Sequence, residues 1–128
     1  MTIERRKISS GSPWETTFGY SRAVRAGDQV FVGGTVGINP DGSAAPGPYA
    51  QARRALEIIG TALTEAGGSL DDVVRTRIFV TDFGHFDEIA RAHREVFGEI
   101  RPATSMVQSS VLIEPAYVLE IEVDAVIG

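Results

Sequence analysis

The run Leu119-Glu-Ile-Glu-Val-Asp-Ala-Val126 alternates apolar and acidic residues, and no other stretch restricts the fold as much. Period two is the repeat of a strand, because successive side chains leave a pleated backbone on opposite faces. Leu119, Ile121, Val123 and Ala125 therefore face a core, and Glu120, Glu122 and Asp124 share the other side. Three acids two residues apart repel one another. Their face has to be solvated, neutralised by arginines or set around a polar cavity.

A second alternating run supplies candidate partners. In Val73–Thr81 the residues Val74, Thr76, Ile78 and Val80 alternate with Arg75, Arg77 and Phe79, which puts two arginines on one face. Between Ser21–Ala26 and Gln29–Thr35, Ala26-Gly-Asp28 has turn chemistry, so these runs form a hairpin. Its second strand ends in Gly33-Gly34. Glycines inside a strand mark a bulge or the close approach of a backbone or ligand. They do not form a phosphate loop, because neither a Gly-x-Gly-x-x-Gly spacing nor a following Gly-Lys-Ser/Thr is present.

Helical spacing places Ala52, Ala55, Leu56, Ile59, Leu63 and Ala66 on one face of a helix over Tyr49–Ala66, stopped by Gly67-Gly68. A second helix over Phe86–Phe97 carries Phe86, Ile89, Ala90, His93, Val96 and Phe97 on its stripe. The segment Ile3–Ser9 reads as an edge strand, Trp14–Tyr20 as an aromatic loop, and Arg101-Pro102 opens a fifth strand. Two helices cover one face of such a sheet, so an α+β fold follows: a two-layer sandwich of a six-stranded mixed sheet with both helices on one face. The uncovered face is expected to carry Glu120, Glu122, Arg75 and Arg77 with Thr104, Met106 and Gln108. It is too polar for a core and too apolar for plain solvent, so association through it is expected.

The 128 residues are expected to form one domain, 1–128. The absence of cysteine excludes disulfides, thiolate metal sites and a cysteine nucleophile. No metal or cofactor is expected. No run approaches the eighteen or so apolar residues of a membrane span, and the basic N-terminus lacks an apolar continuation, so the expected location is cytoplasmic. A net charge of −5 works against nucleic acid as a partner.

Several weak motifs then occur in a familiar order. Gly19-Tyr-Ser-Arg-Ala23, Val30-Phe-Val-Gly-Gly-Thr-Val-Gly-Ile-Asn-Pro-Asp-Gly42, the Gln51–Gly68 helix, Val73–Asp82, Pro102-Ala-Thr-Ser105 and Val118–Ala125 together resemble the Rid family of reactive intermediate deaminases, formerly called YjgF. The resemblance covers residues 18 to 126. It implies a chorismate-mutase-like fold and a homotrimer with three clefts between neighbouring subunits. It also implies hydrolysis of a reactive enamine or imine to a 2-keto acid and ammonia, and a ligand of the imine, enamine or keto-acid type. Such chemistry needs a water aimed at the C=N carbon, a proton for the leaving nitrogen and a hold on the substrate.

By this resemblance Glu120 matches the water-orienting glutamate and Tyr20 the tyrosine bordering the cleft. The family's carboxylate-binding arginine stands two residues after the proline, where this chain has Thr104. Gly33 replaces a serine of the best-known deaminases, and Ala90 an asparagine. Thr104 offers a hydrogen bond without charge, a loss of about 1.5–3 kcal/mol for a carboxylate ligand. Arg22, Arg77 and Arg101 are candidates to replace the missing guanidinium. His93 is a candidate ligand contact, although a single histidine on an apolar stripe is first a hydrogen-bonded core or interface residue. Three readings follow: a deaminase with altered substrate choice, a non-catalytic trimeric small-molecule-binding protein, and, disfavoured by the acidic balance, an endoribonuclease.

Overall fold

The computed structural model describes residues 2–128. The chain runs β1 (Arg5–Ile8), α1 (Pro13–Phe18), β2 (Ala23–Ala26), β3 (Gln29–Thr35), α2 (Gly47–Glu65), β4 (Val73–Val80), α3 (Phe86–Phe97), β5 (Ala103–Gln108) and β6 (Leu119–Val126), with short 3-10 turns at Leu70–Asp72 and Phe83–His85. The six strands form one sheet in the order β1-β2-β3-β6-β4-β5. Neighbours are antiparallel except β4 and β5, which are parallel because α3 is the crossover between them.

β6 lies inside the sheet, paired with β3 on one side and β4 on the other. Its apolar residues are closed off: Leu119, Ile121, Val123 and Ala125 meet Val30 and Val32 of β3, Ile78 and Val80 of β4, and the inner faces of α2 and α3 in one core. α2 brings Ala52, Ala55, Leu56, Ile59, Ala62 and Leu63, and α3 brings Ile89, Ala92 and Phe97. Gly67, at φ +92, supplies the left-handed turn after α2 that a side-chain-bearing residue adopts only under strain. The two-layer α+β architecture is as expected.

Four local expectations fail for physical reasons. Trp14–Tyr20 is not a loop. Ser12 caps Trp14 N, Pro13 occupies the first turn and Gly19, at φ +86, ends a six-residue helix. In β4 the pairing with β6 slips between Val73 and Arg75, so Val73 is 3% exposed and Val74 47%. The slip turns Val74 outward and leaves Thr76, Ile78 and Val80 inward. In α3, Phe86 is exposed and Ala92 lies in the core.

The fourth failure concerns β5. Its parallel register sets Thr104 beside Thr76, Met106 beside Ile78 and Gln108 beside Val80. Thr104, Met106 and Gln108 therefore belong to the helix-covered face and not to the open one. The open face does carry the expected ion pairs. Arg77 Nη1 lies 3.1 Å from Glu122 Oε1 and 3.4 Å from Asp124 Oδ2, and Arg75 Nε lies 3.8 Å from Asp124 Oδ2. Among these charges Phe31 is 45% exposed and Val107 48%.

Candidate functional site

The site grows out of an irregularity in β3. Val32 pairs with Val123 and Thr35 with Ile121, so Gly33 and Gly34 together stand opposite one residue, Glu122. This is a bulge, as a glycine pair inside a strand suggests. Arg22, 7% exposed just before β2, clamps it. Its Nη1 donates to Gly33 O at 3.2 Å, Gly34 O at 2.5 Å and Thr35 Oγ1 at 3.0 Å, and its Nη2 donates to the Tyr20 hydroxyl at 3.1 Å. The guanidinium carbon is 5.3 Å from the centre of the Tyr20 ring.

Glu120 reaches this bulge from β6. Its carboxyl occupies the space where a β-carbon of residue 34 would stand. Among the described residues it has no ion-pair partner, unlike Glu122 and Asp124. Burial pushes its carboxyl above the usual carboxylate range; the Arg22 charge works against that rise and the Glu122 charge adds to it. A half-buried carboxylate with raised proton affinity and no salt-bridge partner has the properties of a general base.

A groove of about 790 Å³ opens beside it between α1 and the open face of the sheet, lined by Tyr20, Gly33, Lys7, Glu15, Phe31 and Arg77 among others. Glu120 and Arg22 are not among its lining residues. Sequence reasoning missed Glu15. Burial disfavours its charge, but the Ser10 hydroxyl at 2.7 Å and the Ser10 amide at 2.9 Å, together with Ser9 and Ser12, outweigh this and hold its carboxyl below the usual range. The Glu15 carbonyl in turn accepts from the amides of Gly19 and Tyr20, which sets Tyr20 on the groove wall.

Thr104 and His93 lie on the other side of the sheet. His93 Nε2 is 2.9 Å from Thr76 Oγ1, Thr76 Oγ1 is 2.7 Å from Thr104 Oγ1, and Thr104 Oγ1 donates to Pro102 O at 3.1 Å. A carbonyl only accepts, so the direction of the chain is determined. Thr104 gives its proton to Pro102, Thr76 gives its proton to Thr104, and His93 Nε2 carries the hydrogen given to Thr76. Burial also lowers the His93 pKa, which favours the neutral imidazole over the imidazolium. Its ring rests on Phe97, with centroids 4.8 Å apart.

The candidate residues thus fall into two groups. Tyr20, Arg22, Gly33 and Glu120 come together around the bulge, whereas Thr104 and His93 meet on the helix side. Thr104 is level with Val123 through Thr76, and Val123 has the opposite parity to Glu120. Of the other arginines considered, Arg77 is held by Glu122 and Asp124, while Arg101 is exposed with a left-handed φ of 56. Among the described residues no group of three or more His, Asp or Glu side chains could hold a metal ion, and no helix is long and apolar enough to cross a membrane.

Comparison with known proteins places this geometry in context. The sequence profile of the family described as endoribonuclease L-PSP matches residues 12–127. The Drosophila melanogaster RutC family protein UK114 is 33% identical over 129 residues, covering 99% of this chain and 93% of its own. A Mycobacterium tuberculosis structure of the YjgF/YER057c/UK114 family is 48% identical with a TM-score of 0.89, over 97% of this chain and 100% of that one. The RidA structure from an Antarctic Psychrobacter species is 31% identical with a TM-score of 0.82, over 99% of each chain.

Proposed function

The chain belongs to the YjgF/RutC/Rid family, and we propose that it hydrolyses reactive enamines or imines to a keto compound and ammonia, in clefts between the copies of a homotrimer. The observation that carries this reading is the Glu120 carboxyl, half-buried beside a clamped arginine, with its proton affinity raised by burial. Glu120 takes a proton from water as the water oxygen bonds to the C=N carbon. It returns that proton to the nitrogen to complete the carbinolamine, then carries the carbinolamine hydroxyl proton to the same nitrogen as the C–N bond breaks, so that ammonia leaves a carbonyl behind. An already electrophilic imine needs little more than this positioning and proton transfer.

Parity supports the shared cleft. Glu120 and Thr104 sit on opposite faces of one sheet, so a ligand that touches both has to lie between two chains. Phe31 and Val107, half-exposed among the open-face ion pairs, fit a surface that a second copy covers. Thr104 supplies no charge, which turns the choice of substrate away from carboxylated imines unless another cation serves. Arg22 is such a cation, since its Nε hydrogen and one Nη2 hydrogen have no partner among the described residues.

The neutral Thr104 also motivates the second reading, a trimeric binding protein without turnover. A ribonuclease fits the site less well, because His93 spends its Nε2 hydrogen on Thr76 and the open face is acidic. The deciding experiment generates 2-iminopropanoate or 2-iminobutanoate in situ and follows ammonia and keto-acid release. The deaminase reading expects wild type to exceed the spontaneous rate and Glu120→Gln to fall to it. Binding of a keto acid with no acceleration would favour the binding protein.

A further inference from the structure

We propose that Gly34 is a positioning residue for Glu120: the missing side chain at residue 34, on a backbone that Arg22 holds still, is what admits the Glu120 carboxyl against β3. The inference deepens the deaminase reading and rests on it for its kinetic consequence alone.

The two glycines of the bulge are there for different reasons. Neither is among the glycines with positive φ, so a left-handed backbone does not explain either. A β-carbon on Gly33 would meet only ordinary contacts, the nearest being Arg22 O at 3.6 Å. A β-carbon on Gly34 would overlap Glu120 Oε1 and crowd its Cδ and Cγ. The requirement for glycine at 34 is therefore space, and the occupant of that space is the carboxyl of the proposed base.

Relief of such an overlap can come from the backbone or from the carboxyl. Arg22 blocks the first route, since its Nη1 bonds both bulge carbonyls and the Thr35 hydroxyl. The second route is easy, because the carboxyl is the far end of a flexible side chain. A methyl group at residue 34 should therefore swing the carboxyl away while the sheet stays as it is. The charges facing Glu120 are Arg22 and, on its own strand, Glu122, the latter already paired with Arg77 of β4. Its partner across β4 is the uncharged Phe79. Displacement thus removes the carboxyl from one place where burial and a fixed cation act on it together.

The test combines a double-mutant cycle with a titration. Gly34→Ala is expected to lower kcat/KM by about a hundredfold, toward the level of Glu120→Ala, the size of a lost general base. In the Glu120→Ala background the same change should alter the rate by less than about twofold, because residues that act only through each other are not additive. Carbon-13 NMR should find the Glu120 midpoint raised in wild type and in Gly33→Ala, and returned toward the ordinary range in Gly34→Ala. Additive kinetic losses, or a midpoint that Gly34→Ala leaves unchanged, overturn the proposal. If Gly34→Ala unfolds the chain, removing the Glu120 carboxyl should refold it, and an equally unfolded double variant also overturns it. Should wild type turn nothing over, the deaminase reading fails while the NMR arm still decides the role of Gly34.

Discussion

At the scale of single residues, the burial that suits Glu120 to act as a base works against the stability of the fold. Its folded pKa is raised above the ordinary 4.5, so the folded chain holds this proton more tightly than the unfolded one. Stability therefore falls as pH rises from the ordinary carboxylate value through the folded one, and the deficit is complete above the folded one. Glu120→Gln should raise Tm at pH 7 by about 1–3 °C, with the gain shrinking toward pH 4, as calorimetry across that range would record. A gain that grows on acidification would contradict the assignment. His93 has the opposite linkage. Its folded pKa lies below the ordinary 6.5, so stability is lost as pH falls from there, where the unfolded chain takes up a proton that the folded chain refuses. His93→Gln keeps an N–H for Thr76 and removes the titration. Its Tm should change less than that of wild type between pH 7 and pH 5, and an equal change would leave His93 without this role. The face that Glu120 occupies was legible from strand alternation, whereas Tyr20 was named by family order alone. Gly34 and Glu15 were not, because each acts through a contact made across the fold.

At the scale of elements, pairing registers decide what periodicity alone leaves open. β6 was legible since one strand repeats its own pattern, and Gly67 and the apolar stripe made α2 legible by the same kind of local signal. β5 was not, because which face Thr104 joins depends on its parallel register with β4, and nothing within Ala103–Gln108 encodes that. The slip between Val73 and Arg75 likewise depends on β6. α1 had a readable signal in Ser12-Pro13, outweighed by the aromatic, turn-flanked composition around it. The approach to β6 is fixed by one side chain of α2. Buried Gln51 donates to Ala116 O at 3.0 Å and accepts from Val118 N at 2.9 Å. Gln51→Ala strands both backbone groups, and a loss of about 2–3 kcal/mol is expected from urea denaturation. A loss under about 0.5 kcal/mol would mean that water replaces the amide without cost.

At the scale of the whole molecule, the separation of Glu120 from Thr104 by the thickness of a sheet makes assembly part of the proposed chemistry. Light scattering should give three times the 13.7 kDa chain mass. Thr104→Arg should raise kcat/KM on 2-iminobutanoate by about ten- to a hundredfold, the value of a recovered charge-assisted contact of about 1.5–3 kcal/mol. Thr104 is exposed on an edge strand, so the longer side chain has room. Mixing of subunits then tests whether the two residues serve one cleft from different chains. A chain carrying both Thr104→Arg and Glu120→Gln should be inactive as its own trimer, because every cleft lacks the carboxylate. Unfolded together with wild-type chains and refolded, it should yield mixed trimers in which the new guanidinium faces an intact Glu120 of a neighbour. Activity per wild-type chain should then rise several-fold above that of the wild-type trimer. If both residues served a cleft from the same chain, the mixture would never exceed wild type, since no chain in it holds both groups.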